Sequence, residues 1–140
     1  MIDWYKKVMF ENYANFSGRA RRSEYWYYIL MNVIIFIFSI ILCACLDSIS
    51  ESLAEVGIGI LLLYFLAIVI PSLAVLVRRL HDIDKSGWYY FIRFIPIIGP
   101  IWLLIMLCTN GIQGRNNYGD DPKQIYDETD DIGIDSLNVD

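Results

Sequence analysis

Two uninterrupted apolar runs dominate the chain. Residues 25–46 and 56–77 each hold 22 positions without a formal charge. Twelve positions in the first and fifteen in the second are Leu, Ile, Val or Phe. A helix needs about 20 residues to cross the roughly 30 Å hydrocarbon core of a bilayer. Each such side chain contributes about −0.3 to −0.6 kcal/mol to insertion, which outweighs the lone Asn32. A soluble helix of this length would need a polar face, and neither run has one. The pattern predicts two transmembrane helices. Pro71 lies inside the second; it removes a backbone donor and frees the carbonyl of Ala67. A kink is expected there, with Ser72 helping to satisfy the freed groups.

The third apolar run, WYYFIRFIPIIGPIWLLIMLC (88–108), is interrupted. Pro96 and Pro100 flank Gly99, and a residue before proline disfavours helix. Two half-helices are predicted, at 88–95 and 100–109, with Asn110–Gly111 as the stop. They form either one broken span or a hairpin that folds back. Arg93, beside the aromatic run Trp88, Tyr89 and Tyr90, either snorkels to the headgroups or pairs with a carboxylate, Glu24 or Asp82. At the other end of the chain Trp4, Tyr5, Val8, Met9 and Tyr13 recur at helical spacing. This predicts an amphipathic helix over residues 1–16, lying in the cytoplasmic interface or packed on the chain's own spans.

Charge fixes an orientation. Lys6, Lys7, Arg19, Arg21 and Arg22 precede the first span, and Arg78, Arg79 and Lys85 follow the second. The loop between them, DSISESLAE, carries no basic residue. By the positive-inside rule the N-terminus faces the cytoplasm and the acidic loop faces out. Ser48 with Glu51, and Ser52 with Glu55, each fit a capping box for the second helix. The overall charge of −5 is misleading, because residues 1–119 carry ten basic and eight acidic side chains while residues 120–140 carry one and eight. The segment 123–140 therefore reads as an acidic, disordered tail.

Candidate chemistry is sparse. The three cysteines have no zinc spacing and sit in apolar surroundings. A single histidine excludes a His-cluster metal site. No nucleophile motif or phosphate-cradling glycine loop occurs, and no basic stripe points to nucleic acid. The polar residues gather instead at the ends of the spans. FSGRARRSEYW (16–26) enters the first, RRLHD (78–82) leaves the second, and GRNNYGDDP (114–122) is rich in turn formers. Arg78 with Asp82 is an i,i+4 pair and Arg79 with Asp82 an i,i+3 pair. The candidate polar cluster is Arg19, Arg22, Glu24, Arg78, Arg79, His81, Asp82, Asn116, Tyr118 and Asp121.

These stretches, together with PSLAVLVRRLHDIDKSGW (71–88) and IPIIGP (95–100), carry a resemblance. In this order, across residues 16–122, they resemble the small bacterial inner-membrane proteins of domain-of-unknown-function family 805. Two positions depart: Asp84 stands where Gly or a small polar residue is common, and Tyr89 where a second Trp is common. The resemblance implies an all-α, multi-pass helical protein of the inner membrane and implies no activity.

The expected function is a non-enzymatic structural or regulatory membrane component that needs no cofactor. Its Arg/His/Asp cluster faces the cytoplasm and contacts anionic lipid headgroups or a membrane-protein partner, including a second copy of the chain. Two alternatives compete. An oligomeric channel or small-solute transporter would use the broken third segment. A membrane enzyme would use His81 as base and Asp82 to orient it.

Overall fold

The computed structural model describes residues 1–124. The part of the expected acidic tail from residue 125 onward lies outside the described residues. The described chain is helical: α1 (Ile2–Lys6) running into a π-turn (Lys7–Glu11), α2 (Arg22–Asp47), α3 (Glu51–Asp82), a 3-10 helix (Gly87–Phe94) and α4 (Ile98–Cys108). The helices α2 and α3 contain the two predicted spans and extend them at both ends. At about 1.5 Å per residue α3 is about 48 Å long, well beyond the hydrocarbon thickness. Both are long and apolar enough to cross a membrane, and α4 is a shorter apolar helix. Their outward faces expose large apolar side chains such as Ile37, Phe38, Leu62, Leu63 and Leu66. In water such faces would be untenable; in lipid they are the expected surface.

The chain forms two compact units, one of residues 1–15 with 26–74, the other of 16–25 with the segment from 75 onward. In the first, α2 and α3 lie antiparallel. Asn32 accepts a hydrogen bond from the Tyr64 hydroxyl at 2.7 Å, and Tyr28 meets Ser72 at 3.0 Å. Phe36 packs edge-on against Phe65. The N-terminal helix packs on these spans: Tyr5 stacks on Tyr28, and its hydroxyl meets that of Tyr64 at 3.2 Å.

Pro71 is fully buried inside a continuous α3. The Ala67 carbonyl it frees accepts a hydrogen bond from the Tyr13 hydroxyl at 2.6 Å. Ser72, expected to help there, instead meets Tyr28. At the connection between spans, neither predicted capping box forms as drawn. Ser48 donates to the Cys45 carbonyl, finishing α2, while the Ser50 carbonyl receives the first N–H groups of α3, from Leu53 and Ala54.

In the second unit the third apolar run folds back on itself. Gly87, at its start, lies so close to Val77 that a Cβ there would come within 2.9 Å of a valine methyl. At its far end the Ile112 N–H donates to the Asp82 carbonyl at 3.0 Å. Both ends of the run therefore meet the C-terminal end of α3, the geometry of a hairpin. Its apex is a tight γ-turn: Ile97 has φ 67°, and the Ile98 N–H donates to the Pro96 carbonyl at 2.8 Å. The first arm differs from the predicted half-helix in being a 3-10 helix. The second starts two residues earlier than predicted, with Pro100 in its first turn, where proline needs no N–H partner. Gly99 lets the arms close, because a Cβ there would strike the Ile92 carbonyl.

Candidate functional site

The end of α3 organises the site. Arg78, Arg79, His81 and Asp82 occupy its last turn and a half, so their side chains radiate in different directions. Asp82 is buried and shared by two guanidiniums. Arg19 Nη2 lies 2.9 Å from one carboxylate oxygen and Arg79 Nη1 contacts the other. Of the two local pairings open to Asp82 in sequence, the i,i+3 partner Arg79 takes it. Arg78 reaches across to Glu24 on α2, 2.6 Å from its carboxylate.

The remaining donors of Arg79 go to backbone carbonyls. Arg79 Nε donates to Leu107 O at 3.1 Å and Nη2 donates to Thr109 O, which closes the exposed C-terminal end of α4. Arg22 Nη1 adds a bond to Cys108 O at 3.2 Å. Two cations thus sit where the helix dipole and its orphan carbonyls favour them. Arg19 does the same for the turn that follows, donating to Gly114 O at 2.6 Å and to Ile112 O. Arg78 is less fully engaged: its Nε and Nη2 are buried without a hydrogen-bond partner.

The turn itself is drawn onto α3. Asn116 Nδ2 donates to His81 O at 2.8 Å, and the Tyr118 ring stacks on the His81 imidazole with centroids 3.9 Å apart. His81 Nδ1 faces the Gly18 carbonyl at 3.2 Å. A carbonyl only accepts, so Nδ1 carries the proton, and in the neutral ring Nε2 is left as an acceptor. Asp121 closes the turn by accepting the N–H groups of Gly114 and Lys123 at 3.0 and 2.9 Å. Burial pushes its carboxyl up, but those two N–H groups and the nearby Arg19 outweigh it and hold the group below the ordinary carboxylate range.

Of the ten candidate residues, Arg19, Arg79 and Asp82 share one buried ion-pair set and Asn116 and Tyr118 meet His81; Arg78 and Glu24 form a separate pair, Arg22 bonds the end of α4, and Asp121 closes the turn that Arg19 reaches. Two contributors were not anticipated. Gly111 passes directly against the Asp82 carboxylate, where any Cβ would collide. Asp84 accepts hydrogen bonds from the side chain and backbone of Asn117, at 3.0 and 3.3 Å. Asp84 has φ 57°, a left-handed conformation open to Gly, Asn and Asp. Its departure from the common Gly was the available signal, since that position requires positive φ. Among the described residues Arg93 pairs with no carboxylate; it stacks over Tyr90 at 5.0 Å and donates to its hydroxyl, while Glu24 and Asp82 pair with other arginines.

The chain matches the family described as "Protein of unknown function (DUF805)" over residues 13–120. It is 43% identical over 123 residues to Inner membrane protein YhaI of Escherichia coli (strain K12), covering 87% of this chain and 97% of that protein. It is 42% identical over 123 residues to Inner membrane protein YhaH of the same strain, covering 87% and 98%. No solved structure matches it. The matched stretch contains every candidate site residue except Asp121, and the chain belongs to this family of small, multi-pass inner-membrane proteins.

Proposed function

We propose that the chain is a non-enzymatic structural component of the inner membrane, with its N-terminus and its polar end in the cytoplasm. The buried network is its internal lock, and the exposed cations around it contact anionic lipid headgroups or a protein partner, a second copy included. The observation that carries this reading is where the guanidinium donors go. Arg19 and Arg79 are almost fully buried and spend their donors on Asp82 and on backbone carbonyls. Such groups hold the hairpin and the turn against α3 and α2. Headgroup contact falls instead to Arg22, Lys85, Arg115 and Lys123, which are exposed.

The hairpin arms are each about 16 Å long, half the hydrocarbon thickness. This favours a re-entrant segment that enters and leaves on the cytoplasmic side, in keeping with the basic residues there. The occupied carboxylate of Asp82 favours a packing role over an acid–base role: both oxygens are held by arginines, and His81 points its Nδ1 at Gly18.

The test replaces Arg22, Lys85, Arg115 and Lys123 together by Gln. In reconstituted bilayers the parent protein should melt higher in anionic than in zwitterionic lipid, and salt should shrink the difference. Each cation near the surface is worth about 1 kcal/mol, so the quadruple variant should lose most of it. Equal melting of the parent in both lipids would count against the reading. Ion flux into liposomes carrying the purified chain would favour the channel alternative.

A further inference from the structure

The chain carries a counter-charge for its own basic end. Residues 125–140 hold Asp127, Glu128, Asp130, Asp131, Asp135 and Asp140 and no basic side chain. The described residues stop at Gln124, one position past Lys123, which lines a narrow cleft together with Arg21, Arg22 and Gln113. We infer that the acidic segment docks on this basic rim and competes there with anionic headgroups. The competition rests on the headgroup reading above; the docking goes beyond it, by naming what holds the rim when such lipid is absent.

The two acidic walls of the cleft are already committed. Asp82 is held by Arg19 and Arg79, and Asp121 accepts the N–H groups of Gly114 and Lys123. Arg22, Arg115 and Lys123 stay exposed, and Arg115 meets Asp120 only at the surface, at 3.7 Å. The exit of the segment is fixed. Asp121 caps a helical turn by accepting the Lys123 N–H at 2.9 Å, and Pro122 is buried in its first position. Asp127 follows Gln124 by three residues, a reach of about 10 Å. The first carboxylates therefore fall beside a cleft that Lys123 itself lines. A tether this short gives a millimolar effective concentration, so ion pairs that are each weak when exposed act together. A soluble acidic partner or a second copy lacks that advantage. Bilayer headgroups share it, because the chain is embedded among them. The segment also lies outside the family match, which ends at residue 120, so the contact is a feature of this chain's extension.

Cross-linking of the full chain in zwitterionic micelles, free of anionic lipid, tests this. With Cys43, Cys45 and Cys108 replaced by Ser, Gln113→Cys on the cleft and Gly133→Cys in the segment report docking through a short bis-maleimide. The comparison chain has Asp127, Glu128, Asp130 and Asp131 changed to Asn or Gln, a tether of the same length without their charge. At low salt the acidic segment should cross-link about tenfold faster than the neutral one, the worth of a few exposed ion pairs. At about 1 M salt the screening length falls to about 3 Å and the two rates should converge. Arg22→Gln combined with Lys123→Gln should also remove the difference. Equal rates at low salt, or a difference that survives both salt and the double substitution, would overturn the docking. No anionic lipid is present in this arm, so its result is independent of the headgroup reading. In phosphatidylglycerol bilayers the acidic segment should slow to the neutral rate, and an unchanged rate there would overturn the competition.

Discussion

Asp82 is the residue on which the polar end turns, because two buried guanidiniums depend on one carboxylate. Removing one partner of a buried pair leaves an uncompensated charge and costs about 3–5 kcal/mol. Asp82→Asn should therefore lower the melting temperature in detergent more than Arg78→Gln, which leaves both arginines of Asp82 paired. The two neighbouring arginines should also differ. Arg79 uses Nε, Nη1 and Nη2 on three separate acceptors, whereas Arg78 engages through Nη1 alone. A lysine is a single point charge, so Arg78→Lys should be tolerated within about 1 kcal/mol while Arg79→Lys loses about 1–3 kcal/mol of carbonyl bonding. Equal melting of the two variants would refute the assignment of donors. That these polar residues gather at the ends of the spans was legible from sequence, since polar residues beside apolar runs have few places to go. Its pairing was not. Whether Arg78 or Arg79 takes Asp82 depends on which carbonyls α4 brings within reach, and that is set by a fold-back invisible in local spacing.

At the scale of elements, α3 survives its proline because another element supplies the missing partner. Tyr13 donates to the Ala67 carbonyl that Pro71 frees. Tyr13→Phe should cost about 1 kcal/mol, as an unsatisfied carbonyl in an apolar setting does. With Pro71→Ala the backbone N–H returns and the same substitution should cost markedly less, so a double-mutant cycle gives a non-zero coupling. Additive effects would show that the tyrosine bond is incidental. The proline itself could be read as a helix perturbation from sequence, but the identity of the partner of the freed Ala67 carbonyl, 54 positions from it, could not. The predicted caps failed for a related reason: Ser48 finds an acceptor on the helix behind it before it reaches the helix ahead. In the turn after α4, two N–H groups and Arg19 hold the Asp121 carboxyl below its ordinary range, against the upward push of burial. A depressed carboxyl stabilises the fold above its unfolded value and loses that contribution as pH falls through the folded value. The protection factor at Gly114, the observed exchange taken against the intrinsic rate at each pH, should therefore fall as acid protonates Asp121, and Asp121→Asn should show low protection with no such step.

For the whole molecule, composition and periodicity were enough to read two spans and a basic side, because the bilayer imposes one length and one polarity on any chain that crosses it. The third run was ambiguous, since Pro96, Gly99 and Pro100 permit both a broken span and a hairpin. What separates them is steric: Gly99 admits the Ile92 carbonyl and Gly111 admits the Asp82 carboxylate, so that both ends of the run return to α3. We propose that residues 87–109 enter and leave the membrane on one side. It is tested most directly by labelling intact cells with a membrane-impermeant maleimide, in a background where Cys43, Cys45 and Cys108 are replaced by Ser. Ile49→Cys, in the exposed loop between the spans, should label from outside. Arg115→Cys, in the exposed turn after α4, should label only after the membrane is opened. Labelling of both positions from the same side would contradict the hairpin.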